Sequence, residues 1–130
     1  MIYLDSSALV KLVFEETESD ALAQWLADRQ AMPKFSSELT TIELVRTCRR
    51  RDADAVVGAR QVLAGLDLMP LTADLVESAS SIGPPDLRSL DAIHLSSALL
   101  ISEDVTAFVA YDVRLKTAAL AAGLEVVAPM

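Results

Sequence analysis

The sequence has few of the features that stabilise secreted or membrane-bound proteins. Its 130 residues include one cysteine, Cys48, so no disulfide can form within the chain, as is typical of proteins in a reducing cytoplasm. The longest apolar stretch without a charged residue, from Ala92 to Ser102, is shorter than the roughly 18 residues of a membrane-spanning helix. The N-terminus lacks the basic, apolar and small-residue succession of a signal peptide. We therefore expect a cytoplasmic protein with no membrane association.

Aromatic residues are also scarce, at 5% of the chain, whereas apolar residues as a group make up 52%. Leucine, valine, isoleucine and alanine must therefore fill the core. A chain of this length is expected to form one domain, residues 1–130, with a single substantial core. We expect part of the high apolar share to cover an oligomer or partner interface.

Basic residues are in the minority, with 11 against 19 acidic residues and a net charge of −8. Taken over the whole chain, this charge disfavours a nucleic-acid partner. The distribution is uneven, however, because the segment RTCRRR, from Arg46 to Arg51, carries four arginines. Two interpretations of this basic run stay open: a solvated helix surface, or a local track for phosphate groups.

Short strand-like runs alternate with longer helical periods along the chain. We predict five strands, near residues 2–4, 34–36, 68–71, 107–111 and 125–127. We predict seven helices, near residues 7–14, 19–31, 40–51, 54–66, 73–81, 90–102 and 113–122. This alternation predicts an α/β fold with a parallel sheet that is covered by helices on both faces. In such folds, ligands bind at the carboxyl ends of the strands.

Four acidic residues are predicted at this edge of the sheet. Asp5 follows the first strand, and Asp112 closes the strand AFVAYD. Glu43 lies in the first turn of the helix TTIELVRTCRR, and Asp91 lies in the first turn of the helix SLDAIHLSSALL. Each acid is flanked by strongly apolar sequence. We expect the four side chains to meet in one pocket.

Each acid also has a purely structural interpretation. Thr40 and Glu43 have the T-x-x-E spacing of a capping box, in which the glutamate reaches back to the cap backbone amide. Asp91 is favoured near a helix N-terminus by the helix dipole. Asp112 could be an N-cap, and Asp5 could form an Asx-turn. None of these interpretations explains why all four acids lie at one edge.

Carboxylates that share a pocket need a compensating charge. Two of them about 5 Å apart repel by roughly 3 kcal/mol at an effective dielectric constant of about 20. Helix N-termini offset only about 0.3–1 kcal/mol each. A hard divalent cation compensates directly, and oxygen ligands suit Mg²⁺, with Mn²⁺ as a substitute. A zinc site is disfavoured because the chain has one histidine and one cysteine and lacks a C-x-x-C pair.

Two phosphate-binding signatures are absent. The chain has no G-x-x-x-x-G-K-[ST] loop, and Asp5 is followed by Ser6 and Ser7 rather than by a D-x-D phosphatase start. Hydrolysis of a phosphodiester bond by metal-activated water fits these features best. Two other hypotheses stay open: a phosphatase or receiver-like phosphoacceptor, and a catalytically idle domain whose acidic groove binds a basic partner segment.

Longer segments around the four acids carry a family pattern. They are YLDSSALVKL, SELTTIELVR, LRSLDAIHLSSAL and FVAYDVRLKTAALAAGLEVVAP, and they follow one another between Ile2 and Pro129. In order and spacing they resemble the PIN-domain ribonucleases, and specifically the VapC toxins of bacterial type II toxin–antitoxin systems. The resemblance implies a PIN-like three-layer α/β/α sandwich with a central parallel sheet. It also implies a homodimer, Mg²⁺-dependent endonucleolytic cleavage of RNA, and inhibition by a cognate VapB-like antitoxin whose segment covers the acidic groove.

The resemblance assigns roles to the four acids. Asp5, Glu43 and Asp91 correspond to the main metal ligands of the family. Asp112 matches the fourth acid, which helps to bind a second metal ion or positions water. The family often has threonine after the first aspartate, and Ser6 keeps the hydroxyl group at that position.

Other residues near the acids are candidates for contacts with substrate. Arg46 lies three positions after Glu43, and we expect it to face the same side of the helix and to bind phosphate. Arg114 and, with less weight, Arg88 could hold substrate phosphate or pair with a site carboxylate. The hydroxyl of Ser6 or Ser7 could hydrogen-bond a site carboxylate, contact phosphate or cap the following helix. We interpret His94 as a packed, buried histidine rather than as a metal ligand.

Overall fold

Five parallel strands form the centre of the protein, and the computed structural model describes all residues from Met1 to Met130 around them. The strands are β1 (Ile2–Leu4), β2 (Lys34–Ser37), β3 (Asp67–Met69), β4 (Ala107–Val109) and β5 (Val126–Val127). Their order across the sheet is β3-β2-β1-β4-β5, and every neighbouring pair is parallel. The predicted all-parallel sheet is therefore confirmed.

Seven α-helices connect and cover these strands. They are α1 (Ser6–Val13), α2 (Ser19–Ala27), α3 (Leu39–Arg51), α4 (Val56–Ala64), α5 (Ala73–Ser81), α6 (Ser89–Leu100) and α7 (Val113–Ala121), with a 3₁₀ turn at Ala53–Ala55. Most boundaries agree with the predicted ones within three residues. The main difference is α2, which ends four residues early because its apolar pattern stops at Leu26 and turns lead the chain into Pro33. None of the helices is both long and apolar enough to cross a membrane.

The side chains of β1 alternate between two hydrophobic cores. Ile2 and Leu4 pack against α1, α2, α3 and α4 on one face of the sheet. Tyr3 points to the other face, where it packs with Phe108 and with residues of α6 and α7. Because all three β1 residues are fully buried, the strand is covered on both sides. The predicted three-layer α/β/α sandwich is confirmed.

The strand order places a topological switch beside β1. The chain adds β2 and β3 on one side of β1 and then returns to add β4 and β5 on the other side. Leu4 pairs in register with Val109, and the Asp5 amide donates to the Val109 carbonyl oxygen at 3.1 Å. In open parallel sheets, ligands bind at such a point, beyond the carboxyl ends of the strands. The loops after β1, β2 and β4 therefore face one crevice.

Two buried hydroxyl groups tie the start of α3 to the end of β1. The Ser36 hydroxyl donates to the Leu4 carbonyl oxygen at 2.7 Å, and the Thr40 hydroxyl lies 2.7 Å from Ser36 Oγ. Since the single hydrogen of Ser36 is directed to Leu4, Thr40 is the donor in the second bond. The alternative interpretation of Thr40 and Glu43 as a capping box does not hold, because Thr40 hydrogen-bonds to Ser36 of β2 and α3 begins one residue earlier, without a side-chain cap.

We predict that Ser36→Ala destabilises the protein by about 1–3 kcal/mol, because it removes the donor to Leu4 and the acceptor for Thr40 in a fully buried place. Thr40→Val, which removes only the second bond and keeps the side-chain shape, should cost less, about 1 kcal/mol. Urea denaturation followed by circular dichroism measures both. Equal losses for the two variants would contradict the assignment of Ser36 as the link between strand and helix.

Candidate active site

A single cavity at the switch point is lined by all four acids that the sequence singles out. Its volume is about 290 Å³. It is lined by Asp5, Ser6, Ser7, Val10, Glu43, Thr47, Arg88, Leu90, Asp91 and Asp112. These residues come from the end of β1 and from α1, from α3, from the segment that begins α6, and from the N-cap of α7. The structure thus brings the four acids together in one pocket, as predicted. We call this pocket the acidic cavity.

Asp5 is buried and uses one carboxylate oxygen to begin α1. Its Oδ1 accepts hydrogen bonds from the Ala8 backbone amide at 2.9 Å and from the Ser7 hydroxyl at 2.7 Å. Ser7 in turn accepts a hydrogen bond from the Tyr111 amide, which ties this loop to the one after β4. Oδ2 has no hydrogen-bond partner in the protein. The expected local turn at Asp5 therefore occupies one oxygen and leaves the other free.

Asp112 and Asp91 present their carboxylates from two further helices. Asp112 is the N-cap of α7, and its Oδ1 accepts from the Leu115 amide at 3.0 Å, so Oδ2 stays free. Asp91 lies in the first turn of α6, and its carboxylate makes no hydrogen bond within the protein. The two acids therefore contribute unpaired oxygens to the acidic cavity.

Glu43 is held from two sides. Its Oε2 accepts from the Ser6 hydroxyl at 3.1 Å, and its Oε1 lies 2.9 Å from Nε2 of His94. The side chain of Glu43 is 15% exposed, whereas that of His94 is buried. Ser6 therefore hydrogen-bonds a site carboxylate, which is one of the alternatives expected for it.

His94 is fully buried, as expected, and its ring is oriented by a hydrogen-bond partner. Nδ1 lies 3.0 Å from the phenolic oxygen of Tyr3, and the two rings meet edge to face at a centroid distance of 5.9 Å. The sequence places Tyr3 on the second face of β1 but does not show what it meets there. Tyr3 is the site-related residue that sequence reasoning missed, and strand alternation along β1 was the signal available for it. The hydrogen bond from Ser7 to Asp5 agrees with the expectation that Ser6 or Ser7 contacts a site carboxylate.

Burial, together with a smaller effect of the Asp91 charge, raises the pKa of the Asp5 carboxyl group to about 6. His94 and the hydrogen bonds from Ser7 and Ala8 act in the opposite direction without cancelling the effect of burial. The ionised form of Asp5 is therefore less stable in the folded protein than in water, because burial removes solvent from its charge.

Asp91 is perturbed in the same direction. Burial raises its pKa first, and the neighbouring carboxylates of Asp112 and Glu43 raise it further, while His94 and Arg88 lower it. Repulsion between these carboxylates is the electrostatic situation that a cation relieves. It supports the expectation that negative charge in the acidic cavity calls for a positively charged ligand.

The carboxylates surround the acidic cavity without forming a complete metal cage. No group of three or more His, Cys, Asp or Glu side chains has an arrangement that could hold a metal ion by itself. Mg²⁺ usually keeps several water ligands and binds through one or two carboxylates together with a substrate phosphate. An all-oxygen donor set with free oxygens on Asp5, Asp91 and Asp112 fits such a partly hydrated cation.

The two arginines that are near Asp91 and Asp112 in sequence do not both line the acidic cavity. Arg88 lines the acidic cavity, and its charge acts on Asp91. Arg114, which was the stronger expectation, is exposed and lines a separate cavity of about 390 Å³ beside Pro84 and Leu87. Contact with the site is therefore made by the arginine that the sequence favoured less.

The basic run on α3 divides into two parts. Arg46, Arg49 and Arg50 are exposed, line a concave surface of about 320 Å³ and form no ion pair within the chain. Arg51 is different, because it pairs with Glu16 at 3.4 Å and lies over the Phe14 ring at 4.0 Å. We call the surface formed by the first three residues the arginine surface.

Comparison with known proteins identifies the family. Residues 2–120 match the model of the PIN domain. The chain is 47% identical to the ribonuclease VapC35 of Mycobacterium tuberculosis, and the match covers 99% of this chain and 97% of that protein. It is 42% identical to the ribonuclease VapC47 of the same species, again over 99% of this chain and 97% of that protein.

Solved structures show the same fold at much lower sequence identity. The crystal structure of Mycobacterium tuberculosis VapC20, described as a toxin that cleaves the sarcin–ricin loop, superposes with a TM-score of 0.76 at 21% identity and covers 99% of this chain and 100% of that one. VapBC2 from Rickettsia felis, bound to a promoter DNA fragment, gives a TM-score of 0.71 at 15% identity over the full length of both chains. From the family match and the high identity over its full length, this chain belongs to the PIN-domain family and is a member of the VapC ribonucleases.

Proposed function

We propose that this protein is the toxin of a type II toxin–antitoxin system and that it hydrolyses phosphodiester bonds within RNA chains at the acidic cavity, with Mg²⁺ or Mn²⁺ as cofactor. The observation that carries the proposal is the meeting of four carboxylates in one cavity at the switch point of the sheet. The family of ribonucleases to which the chain belongs supplies the substrate class.

The four acids divide the work of holding the cofactor. Asp5 and Asp91 offer free carboxylate oxygens, and they lie close enough that the charge of Asp91 raises the pKa of Asp5. Glu43 offers a carboxylate whose orientation is fixed by two hydrogen-bond donors. Asp112 is exposed at the rim, where its free oxygen is suited to orient the attacking water or to help with a second ion. A divalent cation, when bound, supplies polarisation of a phosphoryl oxygen and a lowered pKa for water.

Positive side chains at the cavity bind the substrate phosphates. Arg88 is the cation that lines the acidic cavity, so it is placed to hold the phosphate that is cleaved. The arginine surface continues from there along α3, because Arg46 and Arg50 follow Glu43 by three and seven residues on one side of the helix. Seven helical residues span about 10 Å, so the RNA backbone can leave the cavity along α3. Arg114 would contact RNA on the opposite side, beside Asp112.

The partners proposed for this toxin are a second copy of the chain and a cognate VapB-like antitoxin. Support comes from exposed apolar side chains that precede or follow three of the acids in sequence, namely Ile42, Leu90 and Val113, of which Leu90 also lines the acidic cavity. Exposed apolar side chains near a charged cavity are consistent with a surface that a partner covers. The Rickettsia felis neighbour is itself a VapBC assembly. We place the reaction in the cytoplasm, where the free, buried thiol of Cys48 stays reduced.

We predict that Asp5→Asn abolishes RNA cleavage in Mg²⁺ buffer, because it removes a charged ligand, yet stabilises the metal-free protein above about pH 6. The folded pKa of Asp5 is raised from its ordinary value of 3.8 to about 6, so the ionised carboxylate makes the wild type lose stability as pH rises through this window. At pH 8 the variant should be more stable by about 1–3 kcal/mol, and at pH 4 the two should be equal. Urea denaturation in EDTA at several pH values measures this.

Asp5→Ala is the matched control for the capping role of Asp5. Asparagine keeps an oxygen acceptor for Ala8 and Ser7, whereas alanine removes it and should cost about 1 kcal/mol relative to asparagine. Both variants should be inactive, and both should gain less thermal stability from added Mg²⁺ than the wild type. Full cleavage activity of Asp5→Asn in Mg²⁺ would contradict the proposed function.

We also predict that the arginine surface sets the salt dependence of RNA binding. Replacement of Arg46 or Arg50 by glutamine should weaken binding of single-stranded RNA and reduce the slope of log affinity against log salt concentration by about 0.7 for each phosphate that the arginine neutralises. Fluorescence anisotropy in EDTA, where no cleavage occurs, measures both quantities. Arg51→Gln is the control within the same run, because Arg51 is engaged with Glu16 and Phe14. An equal effect of Arg51→Gln would show that only the overall charge matters.

A further inference from the structure

A continuous line of hydrogen bonds runs from the core of the second face of the sheet to the acidic cavity. It begins at the Tyr3 hydroxyl, passes through both nitrogens of the His94 imidazole, and ends at Oε1 of Glu43. Tyr3 and His94 are both 0% exposed. Tyr3 and His94 are 91 positions apart in sequence, and His94 and Glu43 are 51 positions apart, so only the tertiary fold brings the three residues together.

The directions of these hydrogen bonds follow from the chemistry of the groups. A carboxylate only accepts, so Nε2 of His94 must carry the hydrogen that is shared with Glu43. In the neutral imidazole, Nδ1 is then an acceptor, and the Tyr3 hydroxyl is the group that donates to it. Burial raises the pKa of Tyr3, so the phenol keeps its proton. Each polar atom in this line has a partner of the right kind.

Packing alone would not select these residues. A buried phenol and imidazole are costly unless their polar atoms are paired, and apolar side chains of similar size would fill the same space without that requirement. Tyr3 is also held on its other side, since its ring stacks on Phe108 at a centroid distance of 5.4 Å. The phenolic oxygen is thereby fixed, and with it the plane of the imidazole.

We infer that Tyr3 and His94 are positioning residues that fix the Glu43 carboxylate for metal binding in the acidic cavity, an inference that rests on the proposed function. The imidazole holds Oε1 while the Ser6 hydroxyl holds Oε2, so the carboxylate cannot rotate and its remaining lone pairs keep one direction. Side chains that orient a metal ligand in this way typically change metal affinity or activity about 10–100-fold when they are removed.

The single histidine of the chain allows a direct spectroscopic test. In protein labelled with ¹⁵N-histidine, both imidazole resonances belong to His94 without further assignment. We expect the tautomer with hydrogen on Nε2, and we expect addition of Mg²⁺ alone to shift the Nε2 resonance because Glu43 then shares its charge with the cation. Asp5→Asn should remove this shift. A histidine that serves only packing would not respond to Mg²⁺.

Metal affinity provides the second test, measured by calorimetry with Mg²⁺ in the absence of RNA. His94→Leu should weaken Mg²⁺ binding by about tenfold or more. His94→Gln should recover most of this affinity, because its side-chain amide can reach Glu43 with a donor from about the position of Nε2. Tyr3→Phe keeps the ring that stacks on Phe108 and should weaken binding less than His94→Leu. Tyr111→Phe is its control, since Tyr111 donates to Pro129, outside this line.

The outcomes separate this inference from the proposed function. Wild-type Mg²⁺ affinity in a folded His94→Leu variant, or hydrogen on Nδ1 instead of Nε2, would overturn the positioning role and leave the proposed ribonuclease intact. If His94→Leu does not fold, Tyr3→Phe decides, and affinity equal to that of Tyr111→Phe would overturn the inference. A wild type that neither binds Mg²⁺ nor cleaves RNA would overturn the proposed function itself and this inference with it.

Discussion

The burial of the Asp5 carboxylate is the constraint on which the rest of the site depends. Asp5 follows a strand that is covered on both faces, so its charge is largely removed from water and only 2% of the residue is exposed. Two donors from the start of α1 stabilise one of its oxygens, but burial still raises its pKa to about 6. A buried carboxylate in this position is costly for folding and suited to binding a cation.

In Asp5 and Asp112, the structural role and the proposed role as a ligand use different oxygens of the same carboxylate. Asp5 and Asp112 each begin a helix with Oδ1 and keep Oδ2 free. Capping therefore fixes the direction of the carboxylate without consuming its capacity to bind a ligand. Glu43 reaches the same result by another route, because two side chains hold its two oxygens. These carboxylates can therefore stabilise a helix or a loop and bind a cation at the same time.

The sequence predicts the layers and the meeting of the acids because both depend on periodicity. Alternating strands and helices imply a parallel sheet, and residues at strand ends and helix starts must share one edge of it. Contacts between distant segments leave no such periodic signal. The partner of Thr40 is Ser36 rather than Glu43, and the partner of His94 is Tyr3, because the tertiary pairing of β1, β2 and α6 decides both. Arg88 rather than Arg114 lines the acidic cavity for the same reason, since the direction of an exposed side chain at a helix start depends on how the helices pack.

The charge distribution connects the acidic cavity with the manner in which RNA is bound. A net charge of −8 repels RNA, and screening confines that repulsion to about 8–10 Å at physiological salt. Affinity must therefore come from contacts at close range, where Arg88 and the unpaired arginines of α3 are the cations available near the site. Under the proposed function, the arginine surface therefore supplies affinity for RNA even without a cofactor, and a cation in the acidic cavity adds to this affinity when a phosphate group enters the cavity. RNA that contacts both places should then bind more tightly than RNA that reaches only one of them.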